Sequence, residues 1–149
     1  MTIDLKERYR TILTLWFALL MSIGGYFLFT LFSRPEIDST PGNARNSLLI
    51  VALTAVGIFF VVISFAVKRK FLQQSVEKQD VGLVQKGIVI ACALCEVSAL
   101  LGVLEHFVIG NREYYLLFLL AAAGIALHFP RREQLLAATY KTFKGGANF

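Results

Sequence analysis

The chain has 149 residues, of which 56% are hydrophobic, and its formal net charge is +5. Its mean hydropathy of +0.64 is too high for an ordinary soluble domain, so the bilayer is the solvent that governs its folding. In a membrane protein, an excess of Lys and Arg first indicates which segments face the cytoplasm. The sequence does not interleave basic and aromatic residues in the way that nucleic-acid-binding proteins do, so we do not expect nucleic acid as a partner.

Four apolar segments, separated by polar ones, predict four transmembrane helices. They cover residues 12–32, 48–67, 87–109 and 114–129. The first is about 30 Å long as a helix, which matches the hydrocarbon layer, and the fourth is short for a span. We therefore expect an all-α, single transmembrane four-helix domain over residues 1–149, arranged up-down-up-down.

The polar segments differ in what they predict. Pro35, Pro41 and Gly42 indicate a loop between the first two spans. Residues 68–86 carry apolar side chains at loosely helical spacing, which favours extension of the second and third helices as a hairpin beyond the bilayer. Residues 131–143 have the spacing of a short amphipathic helix on the membrane surface.

The distribution of Lys and Arg predicts the orientation. The N-terminal segment, the 68–86 segment and the C-terminal tail contain twelve of these residues, and the other two loops contain three. Because positive charge marks cytoplasmic segments, we expect both termini in the cytoplasm. The chain resembles small four-span proteins of bacteria, and this resemblance implies the bacterial inner membrane.

The third segment carries Glu96 near its middle. An ionisable residue at that depth is costly and marks a candidate functional site. In one interpretation the carboxyl is structural and accepts hydrogen bonds from Ser, Thr or Tyr of another span. In a second it binds and releases a proton or cation. In a third it contacts a partner subunit or an amphiphilic ligand.

A second surface of the same segment consists of small residues. Ala91, Cys95, Ser98 and Gly102 fall on one face of a helix, and Glu105 lies at its outer end. Small residues let helix backbones approach closely in lipid, so this stripe predicts helix packing. Glu96 points away from the stripe, and the two acids are therefore not expected to form a carboxylate pair.

The sequence from Ala93 to Gly102, ALCEVSALLG, resembles the ion-carrying helix of the rotary ATP synthase c subunit. The matching positions are Ala93, Leu94, Glu96, Ala99, Leu100 and Gly102. The resemblance implies that Glu96 is the ion-carrying carboxylate in a ring of subunits. Unlike that family, the second segment has only one glycine, Gly57, and the following polar segment is long.

The cysteines and histidines of the sequence do not indicate a metal, cofactor or catalytic site. Cys92 and Cys95 lie one helical turn apart inside an apolar segment, where cysteines are usually small packing residues. His106 and His128 are predicted near opposite interfaces, so they cannot share a ligand. The chain has no Ser/His/Asp set, glycine loop for phosphate or acidic metal cluster. We therefore expect no catalytic residues, no metal and no cofactor.

Taken together, these patterns favour a non-enzymatic integral membrane protein. We expect an accessory or oligomer-forming subunit of a membrane complex that packs through its third helix. The alternatives are a proton or cation carrier that uses Glu96, and a protein that binds a lipid or hydrophobic small molecule between its helices.

Reporter fusions at residues 42 and 149 test the orientation. We expect a cytoplasmic signal from residue 149 and an external signal from residue 42, because the positive charges lie on the side of the termini. A cytoplasmic signal from residue 42 would contradict the topology.

Overall fold

The computed structural model describes residues 2–33, 44–110 and 112–139, and all regular structure in these ranges is helical. The helices are α1 Thr2–Phe32, α2 Ala44–Lys78, α3 Val81–Leu104, α4 Tyr115–Leu127 and α5 Arg132–Ala137. A π-helix, Glu105–Ile109, continues α3 and ends at Gly110, whose φ of 72° suits a residue without a side chain. The expected all-α class is confirmed.

Three helices are long and apolar enough to cross a membrane, which indicates a membrane-embedded protein. Their apolar segments are Leu5–Phe32, Ser47–Lys78 and Val81–Ile109. Helix α4 is also apolar, but its 13 residues extend only about 20 Å, less than the roughly 30 Å of the hydrocarbon layer. The predicted fourth span, 114–129, thus corresponds to a helix shorter than a full crossing.

The structure describes only part of the polar segments. Residues 34–43, which contain most of the predicted loop, lie outside the described residues, as do residues 140–149. Within the predicted amphipathic helix at 131–143, α5 covers Arg132–Ala137. Its Leu135 is buried in the core and its neighbour Leu136 is exposed.

Helices α2 and α3 form the long hairpin that the sequence predicts. Helix α2 continues to Lys78 and α3 begins at Val81, so only two residues connect them. Gln79 adopts a φ of 51°, which allows the sharp reversal. The Asp80 side chain then accepts a hydrogen bond of 2.8 Å from the Gly82 amide and caps α3. The predicted helical hairpin through residues 68–86 is confirmed, and its extension beyond the bilayer stays a prediction.

Helix α3 is the centre of the fold. It packs against α1, α2 and α4, whereas α1 and α2 lie on either side of it with almost no contact between them. Helix α4 contacts all three long helices and closes one side of the bundle. The core therefore lies between α3 and α4, with α1 and α2 contributing one face each.

Glycine residues set how closely the helices approach. A Cβ atom at Gly87 of α3 would lie 2.6 Å from the Cβ of Phe71 in α2, and one at Gly124 of α4 would lie 2.7 Å from Cys95 Sγ. By contrast, a Cβ at Gly24 or Gly25 would meet nothing within 4 Å. The Gly24-Gly25 pair of α1 therefore makes no close helix contact among the described residues.

Substitution of Gly87 by Ala tests this packing. The Phe71 Cβ is fixed to the backbone and cannot rotate away, so α2 and α3 must separate. We expect a loss of about 1–3 kcal/mol in the free energy of unfolding, measured in mixed detergent micelles. Gly25→Ala is the matched control and should not destabilise the protein. Equal stabilities of the two variants would contradict the close approach.

Candidate functional site

Glu96 faces α1 across the middle of the bundle. The Ser22 hydroxyl of α1 donates a hydrogen bond to Glu96 Oε1. Tyr26, one turn further along α1, also directs its hydroxyl at this carboxyl. Glu96 itself is half-buried. The carboxyl therefore has the hydrogen-bonded environment of the structural interpretation, and it keeps some access to the surface.

Other polar contacts connect α1 to the rest of the fold. The Trp16 indole N–H donates to the Ile125 carbonyl at 2.7 Å, and near the N-terminus Tyr9 Oη lies 3.5 Å from the Pro130 carbonyl. At the other end, His106 Nε2 donates to the Ser33 carbonyl at 3.0 Å. Only 11% of the most apolar stretch of α1 is buried, so polar contacts along its length help to fix its position.

The predicted small-residue stripe of α3 is buried against α2 and α4. Ala91, Cys95 and Ser98 have no exposed surface. Gly102 faces the Tyr114 carbonyl of the segment before α4, where a Cβ would lie only 3.1 Å from the oxygen. The stripe thus packs helices within the chain, and it is not available to another protein.

A buried polar cluster lies on this side of α3 and was not anticipated from the sequence. Ser64 Oγ donates to the Val61 carbonyl at 2.6 Å, and His128 Nε2 lies 2.7 Å from the same hydroxyl. Cys95 Sγ is 3.4 Å away and donates to it as well. With the hydroxyl proton directed at the Val61 carbonyl, the hydroxyl oxygen accepts from His128 in the tautomer that carries its proton on Nε2.

This assignment leaves His128 Nδ1 as an acceptor, and it has no hydrogen-bond partner among the described residues. His128 ends α4, and its side chain is completely buried against α2, whereas its predicted depth near the inner interface stays a prediction. The sequence did contain a sign of this pair. Ser64 near the end of the second predicted span and His128 at the end of the fourth are polar residues at similar predicted depth.

Glu105 is buried at the opposite end of α3, on the side of α2. Thr54 Oγ1 donates to Glu105 Oε1 at 3.1 Å. Glu105 begins the π-helix, which also contains His106, and the His106 ring packs against Tyr114 with 4.4 Å between ring centroids. The two acids of α3 therefore bond to different helices, Glu96 to α1 and Glu105 to α2, as their separate faces require.

In the described part of the chain, no helix covers the side of α3 opposite the stripe. Between α1 and α2 the helix exposes 40% of Ile90, 46% of Leu100 and 44% of Leu104. Ala93 is also exposed and Val97 is half-buried. We call these five residues the open face of α3. Glu96 lies at its border, because it precedes Val97 and is one turn from Leu100.

An apolar groove separates α1 from α4. It has a volume of about 440 Å³ and is lined by Leu20, Ile23, Gly24, Phe27, Tyr115, Phe118, Leu119 and Ala122. Almost all of its lining is apolar, and Gly24 leaves room at its wall. The groove has the chemistry of a site for an acyl chain or a similar hydrophobic group.

The two cysteines show no arrangement for metal binding. Cys92 and Cys95 are unpaired and buried. Among the described residues, no three His, Cys, Asp or Glu side chains come together in a way that could hold a metal ion. Cys92 packs in the core, where it acts as a small apolar side chain.

The chain matches no protein-family model, no curated protein and no solved structure. The class of protein is therefore defined by the fold alone: a helical, membrane-embedded protein built around one central helix that carries an acid in its middle.

Proposed function

We propose that the protein is a non-enzymatic accessory or oligomer-forming subunit, and that a helix of another membrane subunit packs against the open face of α3. The observation that carries this proposal is the gap between α1 and α2. Among the described residues, α1, α2 and α4 cover the central helix on its other sides, and this face is left exposed to a partner.

The shape and composition of the open face support a helical partner. Its five residues recur at intervals of three and four, which is the spacing of one helix face. Ala93 is small and lies between the larger Ile90 and Val97, so it forms a shallow depression. In lipid, helices associate through such close van der Waals packing rather than through the hydrophobic effect.

The position of Glu96 supports the same proposal. Its half-buried carboxyl borders the open face, and its bonds to α1 hold it there. A carboxyl in lipid gains when a neighbouring helix excludes lipid and supplies another polar group. A partner on this face would therefore complete the environment of Glu96 as well as cover the apolar side chains.

Ion carriage by Glu96 is the second candidate, and the access of its half-buried carboxyl to the open face favours it. It also agrees with the resemblance to the c-subunit helix. Under this proposal Glu96 exchanges a proton or cation at the surface of an oligomer, with the hydroxyls of Ser22 and Tyr26 as additional ligands. Glu96→Gln would then abolish function without affecting assembly.

Binding of a lipid or hydrophobic small molecule is the third candidate, and the groove between α1 and α4 favours it. This site is on a different part of the surface from the open face. Retained lipid in native mass spectrometry, lost when Gly24→Leu fills the groove, would distinguish it from the two proposals that depend on α3.

Ala93→Phe tests the proposed subunit contact. Because Ala93 is exposed, the larger side chain should leave the chain's own packing intact but obstruct a partner. We expect gentle purification of the tagged protein to yield an oligomer or a larger complex, and Ala93→Phe to reduce it at least tenfold. Ala55→Phe, at an exposed position of α2, is the matched control and should retain the complex, as should Glu96→Gln.

Two results would contradict the proposed contact. The first is a wild-type protein that purifies as a monomer without any partner, also after cross-linking in the membrane. The second is an equal loss of the complex in Ala93→Phe and Ala55→Phe, which would place the contact elsewhere. Thermal unfolding of both variants would show whether either change affects the fold itself.

A further inference from the structure

A basic cleft lies at the end of α2 that the positive charges assign to the cytoplasm. It lies along one side of the helix, is open to the surroundings and has a volume of about 720 Å³. Its lining residues are Phe65, Lys68, Arg69, Leu72, Gln73, Val76 and Glu77. The cleft thus combines two adjacent cations with apolar side chains, and Glu77 lies at its far end.

Lys68 is the unusual residue in this cleft. Its side chain is only 9% exposed, which is rare for a lysine. It makes no hydrogen bond or ion pair with any residue that the structure describes. Arg69, the next residue along the helix and the other cation of the cleft, forms no ion pair in the described part of the chain. The Lys68–Arg69 end of the cleft is therefore cationic, and the carboxylate of the lining, Glu77, lies about 12 Å further along the helix axis.

The depth of Lys68 identifies the kind of anion that fits. The uncharged run 48–67 is about 30 Å long as a helix, so Lys68 is the first residue beyond the hydrocarbon and lies at headgroup level. From Phe65 to Glu77 the cleft extends about 18 Å along the helix axis, from hydrocarbon toward water. A soluble anion would gain nothing from the apolar end, whereas a lipid fits both parts.

We propose that this cleft binds an anionic phospholipid, with its phosphate at Lys68 and Arg69 and its acyl region along Phe65. The lipid supplies the negative charge that this end of the cleft lacks. Its apolar part covers the side chains that α2 leaves exposed where it emerges from the membrane. The site is on a different surface from the open face of α3 and does not depend on the proposed subunit contact.

Native mass spectrometry of the purified full-length protein tests the site. The protein in an uncharged detergent is titrated with phosphatidylglycerol and with phosphatidylcholine of the same acyl chains. We expect preferential binding of phosphatidylglycerol. Lys68→Gln and Arg69→Gln should each weaken it about fivefold, as expected for one lost juxtamembrane charge. Lys68→Arg should restore binding.

Lys70→Gln is the matched control, because Lys70 is exposed on the same helix turn and does not line the cleft. It should leave the affinity unchanged. Arg69 is exposed, so its substitution reports on the site even if Lys68→Gln disturbs the fold. Three results would overturn the proposal: equal binding of the two lipids, an equal effect of Lys70→Gln, or displacement by inorganic phosphate at concentrations similar to those of the lipid.

Discussion

The hydrogen bond between Ser22 and Glu96 is the interaction on which the arrangement of this protein depends. A carboxyl in the middle of a membrane is costly unless another group satisfies it, and here α1 supplies the hydroxyls of Ser22 and Tyr26. Helix α1 has little buried surface with which to hold its place. The acid of the central helix and the otherwise weakly packed first helix thus stabilise each other.

The other side of α3 uses a different physical principle. There the small residues Cys95, Ser98 and Gly102 let α2 and α4 approach so closely that added Cβ atoms on facing glycines would overlap neighbouring atoms. On this side, close packing and the buried Ser64–His128 pair hold α2, α3 and α4 together, whereas the Glu96 carboxyl holds α1. With both of these sides occupied, the open face is the side of α3 that the described helices leave exposed.

Much of the fold could be predicted from the sequence, because a bilayer restricts what an apolar chain can do. The long apolar runs indicated helices, and the apolar spacing within residues 68–86 indicated the extended α2–α3 hairpin. The helical wheel separated Glu96 from the small-residue stripe. In the structure Glu96 faces α1, and the stripe packs against α2 and α4. The limited length of the fourth apolar segment was also visible, since Pro130 follows it.

The partners of these residues could not be predicted in the same way. A helical wheel gives the direction of a side chain but not the helix that occupies it, so the pairing of Glu96 with Ser22 required the tertiary structure. The Ser64–His128 pair was missed because His128 looked like an interfacial residue. The burial of Lys68 was equally hidden, since a lysine at the end of an apolar run ordinarily extends into water.

A double-mutant cycle between Ser22→Ala and Glu96→Met tests the central claim most directly. Met has a similar length to Glu but accepts no comparable hydrogen bond. We expect a coupling of about 0.5 kcal/mol or more in the free energy of unfolding, as for hydrogen bonds between transmembrane helices. Ser22→Ala combined with Thr54→Val, on the other side of α3, should be additive. Additivity of Ser22→Ala and Glu96→Met as well would contradict the pairing of α1 with the acid of α3.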